Sequence, residues 1–178
     1  KIEGDTGLTT AERTKQLSDL AEKVAEEKDK IAEATDAAGV ATAKEAAETE
    51  IKAVHQAGNL EKAKTDAKAA LEKAAEKEKA EIRKDASLTP DQRTAKEAEV
   101  DRVKGEKETA ITNAQNADDV ATAKGEGITA IGEVHTNGSL DDVKAKAKEA
   151  LDELAKAEKA KIEGDTGLTT AERTKQLS

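Results

Sequence analysis

The segment KIEGDTGLTTAERTKQLS decides the fold of this chain, because it occurs at residues 1–18 and again, unchanged, at 161–178. The two copies lie 160 residues apart. A more distant copy lies halfway between them, where IRKDASLTPDQRT at 82–94 aligns with IEGDTGLTTAERT at 2–14. Repetition at a constant period indicates that one structural unit recurs along the chain.

A shift of 80 residues aligns the repeats without a gap, and residues 1–80 then agree with 81–160 at 30 of 80 positions. Most of the shared residues are apolar, helix-capping or turn residues. They include Ile2/Ile82, Leu8/Leu88, Thr9/Thr89, Ile31/Ile111, Val40/Val120, Ile51/Ile131, Val54/Val134, His55/His135, Gly58/Gly138, Leu60/Leu140 and Leu71/Leu151. Because neighbouring repeats differ while segments two repeats apart are identical, we expect the chain to be a piece of a longer array that grew by duplication of pairs.

Each repeat contains the start and stop signals of three helices. Thr9 followed by Glu12, and Thr89 followed by Gln92, fit the capping box that begins a helix, and Pro90 suits the first helical position. The further signals are the caps Asp36, Asn116, Asn59 and Ser139, and the helix-ending glycines Gly58 and Gly138, for which we expect a left-handed backbone. The predicted breaks between helices lie near residues 35–36, 57–59, 84–89, 115–116, 137–139 and 164–169.

Apolar residues recur within each predicted helix at spacings of three, four and seven positions, which is typical of a helix with one buried face. The second helix shows this pattern at Val40, Ala47 and Ile51, and the third at Leu140 and Leu154. Isolated helices of this length are marginal in water, so we predict that three of them close on one another. The predicted fold is all-α, with tandem three-helix bundles joined end to end into an elongated rod.

The repeat also predicts domain boundaries. We place the end of a preceding repeat at residues 1–8, a first three-helix repeat at 9–84, a second at 85–164 and the start of a third at 165–178. Since an odd number of helices brings the chain out at the opposite end of a bundle, consecutive bundles would stack along one axis. At about 1.5 Å of rise per helical residue, we expect a rod on the order of 70–90 Å long.

Composition excludes several classes of function. The chain holds 36 Ala and 27 larger apolar residues, all Leu, Ile or Val, and it has no Cys, Met, Phe, Trp or Tyr. Without cysteine there are no disulfides or thiolate metal sites, and without aromatic residues there is no base or sugar stacking. A net charge of −9 with mixed signs disfavours a nucleic-acid partner. We also expect no membrane insertion, because no apolar run is long enough to span a bilayer. No signal peptide opens the chain, and we expect the chain to be a monomer.

Two motifs imitate catalytic or metal sites. The D-T-G of aspartic proteases occurs at residues 5–7 and 165–167, but its counterpart at 85–87 is D-A-S, so we interpret the motif as a turn between helices. His55 and His135 occupy the same place in each repeat. One histidine for each repeat cannot supply the three or four ligands of a metal site. We interpret each histidine as a cation in the last turn of the second helix, where its charge interacts favourably with the helix dipole.

Other polar patterns have equally simple interpretations. Asp118 and Asp119 lack the ligand spacing of a calcium loop and suit the first turn of a helix. The N-glycosylation pattern at residues 137–139 is explained by a helix stop followed by a cap. We therefore predict no catalytic, cofactor-binding or metal-binding residues, no cofactor, and no enzyme activity. The shared residues expected to be exposed form a small set: Arg13/Arg93, Lys44/Lys124, Lys64/Lys144, Lys68/Lys148 and Glu78/Glu158.

A family resemblance is carried by KAEI at 79–82, LTPD at 88–91, DVATAK at 119–124 and GITAI at 127–131. In this order and spacing they resemble the Ala/Lys-rich repeat of unknown function found in tandem in large cell-wall-anchored surface proteins of Gram-positive bacteria. Staphylococcal and streptococcal extracellular-matrix-binding and biofilm adhesins belong to that group. The resemblance implies an extracellular stalk of helical bundles that holds a distal adhesive domain away from the wall, and it carries over no catalytic or binding residues.

Two further hypotheses of other classes stay open at this point. A three-helix module could bind a host matrix or plasma protein, and a ligand site of that kind would preserve an exposed patch between repeats. The few shared exposed residues do not indicate one. A cytosolic desiccation-type protein rich in Ala, Glu and Lys would be disordered with an 11-residue period, which the capped 80-residue repeat opposes. The leading hypothesis is a non-catalytic spacer whose partners are the neighbouring repeats of the same chain.

Overall fold

A computed structural model describes residues 1–177; Ser178, which falls in the predicted start of a third repeat, lies outside the described residues. The described chain contains a 3₁₀ turn at Ile2–Gly4 and seven α-helices, with no strand among residues 1–177, so the all-α prediction is confirmed. The helices are α1 (Thr10–Ala32), α2 (Ala37–Ala53), α3 (Leu60–Lys84), α4 (Pro90–Asn113), α5 (Ala117–Gly132), α6 (Leu140–Gly164) and α7 (Thr170–Leu177).

The helices begin where local chemistry predicts. Thr9 and Thr89 each accept a hydrogen bond from the third helical residue, whose side chain accepts one in return from the cap backbone, so both capping boxes are formed. Pro90 opens α4, where its missing N–H has no helical partner to lose. The remaining predicted caps also bond to the first turns that follow them: Asp36 for α2, Asn59 for α3, Asn116 for α5 and Ser139 for α6.

The core of the molecule is a three-helix bundle formed by α3, α4 and α5, each of which contacts the other two. We call residues 60–132 the closed bundle. Leu71 of α3, Val100 and Ile111 of α4 and Ile131 of α5 are fully buried at its centre. Alanines on α3 and α5 bring the helix backbones close together. The other buried apolar members of this core are Ala67, Ala75, Ile82, Val103, Ala114, Val120 and Ala123.

The contacts group the helices differently from the predicted repeats. The sequence predicted bundles at residues 9–84 and 85–164, whereas α3 from the first of these segments packs with α4 and α5 from the second. The reason is geometric: an 80-residue period gives the spacing of equivalent helices but not which three consecutive helices close on one another. The closed bundle lies across the predicted boundary at residues 84–85.

The remaining helices are less covered. The helices α1 and α2 pack against each other, and we call them the open pair; α6 contacts only the short α7 to any extent. Among the described residues α6 has no buried side chain, and Leu151 and Leu154 expose 65% and 61% of their surface. No helix within residues 1–177 combines the length and apolar character required to cross a bilayer.

Candidate functional site: two aspartate–histidine joints

The most elaborate polar arrangement in the chain lies where three helix ends meet. We call Asp85, Arg93, His135 and Gly138 the second joint. Asp85 ends α3, and its Oδ2 accepts hydrogen bonds from His135 Nε2 at 2.8 Å and from the Gly138 backbone N–H at 2.9 Å. The guanidinium of Arg93 in α4 donates to the Asp85 carbonyl oxygen at 2.8 Å. One aspartate thus ties together the end of α3, the start of α4 and the segment between α5 and α6.

The same constellation recurs 80 residues earlier. We call Asp5, Arg13, His55 and Gly58 the first joint. Asp5 Oδ2 accepts from His55 Nε2 at 3.0 Å and from the Gly58 N–H at 2.9 Å, and Arg13 donates to the Asp5 carbonyl at 3.1 Å. It connects the 3₁₀ turn, the start of α1 and the segment between α2 and α3. The histidine is more exposed here, since 21% of the His55 side chain is accessible against 2% for His135.

A third aspartate makes only the local part of the pattern. Asp165 ends α6 and accepts from the Gly167 N–H at 2.8 Å, as Asp5 accepts from Gly7, and Arg173 donates to its carbonyl oxygen at 2.7 Å. The D-T-G at residues 165–167 is therefore a turn that follows a helix, as the sequence predicted for this motif. Within residues 1–177 no histidine hydrogen bonds to Asp165.

The joints favour ionised aspartates. The Ser87 hydroxyl, the Gly138 N–H and the His135 ring all donate to Asp85, and together they hold the pKa of that carboxyl far below its usual range. The Gly58 N–H and the His55 ring lower the pKa of Asp5 in the same way. Folding therefore stabilises a negative charge at each joint.

The second joint contains a further carboxylate. Glu78 Oε1 of α3 lies 4.0 Å from His135 Nδ1, and this buried oxygen has no hydrogen-bond partner. The ring of His135 consequently lies between two acidic side chains, one at each nitrogen. At the first joint, among residues 1–177, only Asp5 lies within ion-pair distance of His55.

Two expectations about the joint residues are wrong. Neither histidine lies in the last turn of a helix, because α2 ends at Ala53 and α5 at Gly132; both rings instead bond to an aspartate 50 residues earlier. The glycines Gly58 and Gly138 do not adopt a left-handed backbone either.

Close approach is the reason for glycine at these positions. A Cβ on Gly58 would overlap the backbone of Gly7, and one on Gly138 would overlap the Ser87 side chain. The glycine allows the joint segment to lie directly against the turn that begins the next helix.

The shared set predicted to be exposed is partly wrong as well. Arg13 and Arg93 are half-buried in the joints, and Glu78 is half-buried beside His135. Lys64 exposes only 16% of its side chain and donates to the Thr112 carbonyl oxygen at 3.0 Å. Packing therefore accounts for several of the shared charged residues that the sequence predicted to be exposed.

A polar contact also connects the open pair to the closed bundle. Asp118 accepts from the Thr10 N–H and hydroxyl at 2.8 and 2.7 Å and from Arg13 Nη2 at 2.8 Å. The Ala117 N–H donates to the Thr6 carbonyl oxygen at 2.9 Å. Asp118 does lie in the first turn of α5, as predicted, but its tertiary partners were missed because its counterpart in the other repeat is Ala38.

The chemistry available at the joints is that of a structural tie. Both ring nitrogens of His135 face carboxylates, and the nearby Ser87 hydroxyl donates to Asp85 rather than to the ring. In the described part of the chain, no group of three or more His, Asp or Glu side chains is placed to hold a metal ion. Ser139 of the glycosylation pattern caps α6 by accepting from the Asp142 N–H, as predicted.

A signal for the joints was present in the sequence. Asp, Arg, His and Gly recur in both repeats at constant separations, with eight residues from aspartate to arginine, 50 to histidine and 53 to glycine. That four polar or turn residues recur together, among repeats that otherwise differ, was the signal to follow.

Comparison with known proteins agrees with the grouping of the helices. Residues 63–139, from the first turn of α3 to the residue before α6, match the family model described as Domain of Unknown Function (DUF1542). Residues 63–139 are thus similar to this domain of unknown function. DUF1542 is a repeat domain of unknown function found in Gram-positive surface proteins, so the resemblance stated from the sequence is confirmed. No curated protein and no solved structure matches the chain.

Proposed function

We propose that this chain is a non-catalytic spacer, a stalk segment of a bacterial surface adhesin that projects a distal binding domain from the cell wall. The observation that carries the proposal is the recurrence of the joints. The same four residue types tie successive helix ends at the first and second joints. In both, the histidine Nε2 and the glycine N–H bond to the aspartate Oδ2, and the arginine guanidinium donates to the aspartate carbonyl oxygen. A device that is repeated with the chain period serves the connection between repeats rather than a single ligand.

The contact between the open pair and the closed bundle supports a fixed orientation of successive groups of helices in the stalk. Arg13 of the first joint and Thr10 beside it bind Asp118 at the start of α5. Because Thr10 and Asp118 lie 108 residues apart in the chain, these contacts set how one helical layer follows the next. The tandem three-helix bundles would then join end to end in an elongated rod, and the number of repeats would set the reach from the wall.

The location at the cell wall rests on the family, which occurs in Gram-positive surface proteins. The alternative, a module that binds a host matrix or plasma protein, requires a preserved exposed patch. Arg13, Arg93, Lys64 and Glu78 are engaged in packing or joints, and Lys68 is half-buried. This leaves Lys44/Lys124 as the pair of that set that is exposed in both repeats. The proposal accordingly assigns no ligand, no cofactor and no reaction to the repeat itself.

Small-angle scattering tests the proposal. At a rise of about 1.5 Å per residue a 25-residue helix such as α3 spans about 37 Å. We expect a maximum dimension on the order of 70–90 Å for this chain after extrapolation to zero concentration. Inserting one further 160-residue period should lengthen the particle by a constant step.

Two outcomes would contradict the spacer. One is a maximum dimension that does not grow with added periods. The other is saturable binding of an immobilised plasma or matrix protein by the full chain that is lost when Lys44 and Lys124 are replaced by Glu. The second result would establish the binding module instead.

A further inference from the structure

The second joint contains the single Asn-Gly pair of the chain, Asn137–Gly138. Because glycine has no Cβ, its backbone nitrogen can approach the side-chain carbon Cγ of the asparagine before it with little steric hindrance. The other asparagines of the chain precede leucine or alanine; they are Asn59, Asn113 and Asn116. The joint explains Gly138, whereas neither the joint nor the cap of α6 explains Asn137.

The side chain of Asn137 is unrestrained. The residue is exposed on the segment between α5 and α6, and no hydrogen bond within the described chain holds its amide. Two other asparagines are held as helix caps: Asn59 Oδ1 accepts from the Lys62 N–H and Asn116 Oδ1 from the Asp119 N–H, both at 2.9 Å. Asn137 thus combines an unhindered following nitrogen with a hydrated amide that is able to turn toward it.

We propose that Asn137 is a site of self-modification, at which the Gly138 nitrogen converts the asparagine to isoaspartate or aspartate, and that the second joint controls the rate. The nitrogen bonds to Asn137 Cγ, the Cγ–Nδ2 bond breaks, and Nδ2 leaves as ammonia with the proton that the Gly138 nitrogen gives up. Water then opens the five-membered imide, at the main-chain carbonyl to give isoaspartate or at Cγ to give aspartate. The conversion consumes one water, releases one ammonia, and has no substrate other than the chain.

The intact joint blocks closure of the imide ring. The Gly138 N–H points at Asp85 Oδ2, which lies 2.9 Å from the nitrogen. In the imide, Asn137 Cγ replaces that hydrogen at a bond length of about 1.3 Å, and the carbon would overlap the carboxylate oxygen. The ring therefore forms only after the hydrogen bond to Asp85 has opened, so the observed rate is the intrinsic rate multiplied by the fraction of open joints.

Asp85 does not offset this block by acting as a base. The bonds from Ser87, Gly138 and His135 hold the pKa of its carboxyl far below the usual range, so it is a weak acceptor of the proton that must leave the Gly138 nitrogen. Ser87 also packs so closely against Gly138 that a methyl group has no room there. The joint thus restrains the nitrogen without activating it.

The modification weakens the second joint once it has occurred. Either product replaces a neutral amide by a carboxylate next to Gly138, in a joint where Asp85 is ionised and Glu78 Oε1 lies buried without a partner. Isoaspartate also adds one atom to the main chain before Gly138, which displaces the N–H from Asp85. The first joint has Ala57 at the position of Asn137 and cannot undergo this change. Two joints of like geometry therefore differ in lifetime.

Peptide mapping of the full chain tests the site. After incubation in mildly alkaline buffer, cleavage at lysine releases residues 125–144, in which Asn137 is the single asparagine. We expect the mass gain of deamidation, and isoaspartate, in this peptide before the peptides that carry the other three asparagines. In guanidinium chloride the same peptide should convert at least about tenfold faster than in the folded chain, because the joint is then open in every molecule.

Two asparagines in one molecule test the control by the joint. Ala57→Asn places the same pair at the first joint, where the Gly58 N–H donates to Asp5 Oδ2 at 2.9 Å. In this background Asp85→Asn should speed the conversion of Asn137 by about tenfold, because the Gly138 N–H loses its charged acceptor, and it should leave the rate at residue 57 unchanged. Asp5→Asn should have the opposite effect, so each variant is the matched control of the other.

Three results would overturn the proposal. The site is wrong if Asn137 converts no faster than Asn59 in guanidinium chloride. Protection by the joint is wrong if the folded and unfolded parent chains convert Asn137 at equal rates, a comparison that needs no variant. Control by the second joint is wrong if Asp85→Asn leaves Asn137 at the parent rate or speeds both asparagines of the Ala57→Asn background equally.

Ring resonances report the consequence for the joint, because His55 and His135 are the two histidines of the chain. As the parent chain converts, the His135 ring should give a second set of signals in proportion to the isoaspartate formed, while the His55 signals stay unchanged. Asn137→Ala, which introduces the residue type of the first joint, should show neither the mass gain nor the second set. A converted chain with parent-like His135 signals would overturn the weakening of the second joint.

Discussion

The closed bundle and the open pair contain equivalent residues in different surroundings. Ile111, Val120 and Ile131 are buried in the closed bundle, while Ile31 and Ile51 in the open pair are half-buried and Val40 is exposed. The two segments share their caps, their apolar stripes and their joint. The difference is the third helix: α3 covers α4 and α5, and no helix of the described chain covers α1 and α2 in the same way. Burial in this repeat is thus a property of three helices together and not of the stripe on any one of them.

Substitution of the equivalent leucines Leu71 in α3 and Leu151 in α6 should give the largest difference in unfolding free energy. Leu71→Ala should destabilise the closed bundle by about 3–5 kcal/mol, because the side chain is fully buried and leaves a cavity. Leu151→Ala should change the unfolding free energy by less than about 0.5 kcal/mol in dilute solution, where α6 is exposed. Urea unfolding followed by circular dichroism measures both. Equal effects of the two substitutions would show that α6 is covered as α3 is.

Replacing the histidines of the two joints should give a smaller difference in unfolding free energy. His135→Ala should cost about 2–3 kcal/mol, because it removes a buried hydrogen bond to a charged partner. His55→Ala should cost less, since water can replace the ring at the more exposed first joint. Thermal unfolding at pH 7 compares the two variants. A larger loss for His55→Ala would mean that the first joint is the stronger tie.

Replacing glycines inside helices by alanine distinguishes the effect of packing on stability from that of helix propensity. Gly127→Ala should destabilise by about 1–3 kcal/mol, because its Cβ would lie 2.6 Å from Leu71 Cδ2 in the core. Gly105→Ala and Gly125→Ala should each stabilise by up to about 1 kcal/mol, since a Cβ there meets no neighbour within 4 Å and alanine favours the helix. Chemical unfolding of the three variants measures the signs. A stabilising Gly127→Ala would show that α3 and α5 lie further apart than the structure has them.

The smallest expected effect is a difference between the two joints in how the unfolding free energy depends on acidic pH. The pKa of Asp85 is lowered by folding, more strongly than that of Asp5, so each carboxylate stabilises the fold fully above its unfolded value of about 3.9. This contribution is lost as the pH falls below that value toward the lower folded pKa.

We therefore expect Asp85→Asn to flatten the fall in unfolding free energy between about pH 4 and pH 2, and Asp5→Asn to flatten it less. Urea unfolding at several acidic pH values measures the slope, with the exposed Asp152→Asn of α6 as the control. A parent-like slope in Asp85→Asn would exclude this joint from the acid response.

The candidate site was only partly readable from the chain. The D-T-G at residues 5–7 was correctly interpreted as a turn, and Ser139 as a cap. The recurrence of Asp5 and His55 at a constant separation marked both residues, but it did not show that they bond to each other, because His55 lies 50 residues away and reaches Asp5 only after α1 and α2 have packed. The contacts of Asp118 were harder to predict, since its counterpart in the other repeat is Ala38. Only folding brings Asp118 next to Thr10 and Arg13.

The sequence by itself determined the helices, because their signals are local. Thr9 with Glu12, Thr89 with Gln92, and Pro90 act within one turn of the chain, and apolar spacing needs no partner to be recognised. The 80-residue alignment likewise determined that the pattern recurs. Tertiary structure alone decided that α3, α4 and α5 close together across the predicted boundary, and that Gly58 and Gly138 are required by close approach. The physical reason is that a periodic sequence defines the spacing of equivalent helices, while the grouping of those helices depends on which side chains meet in space.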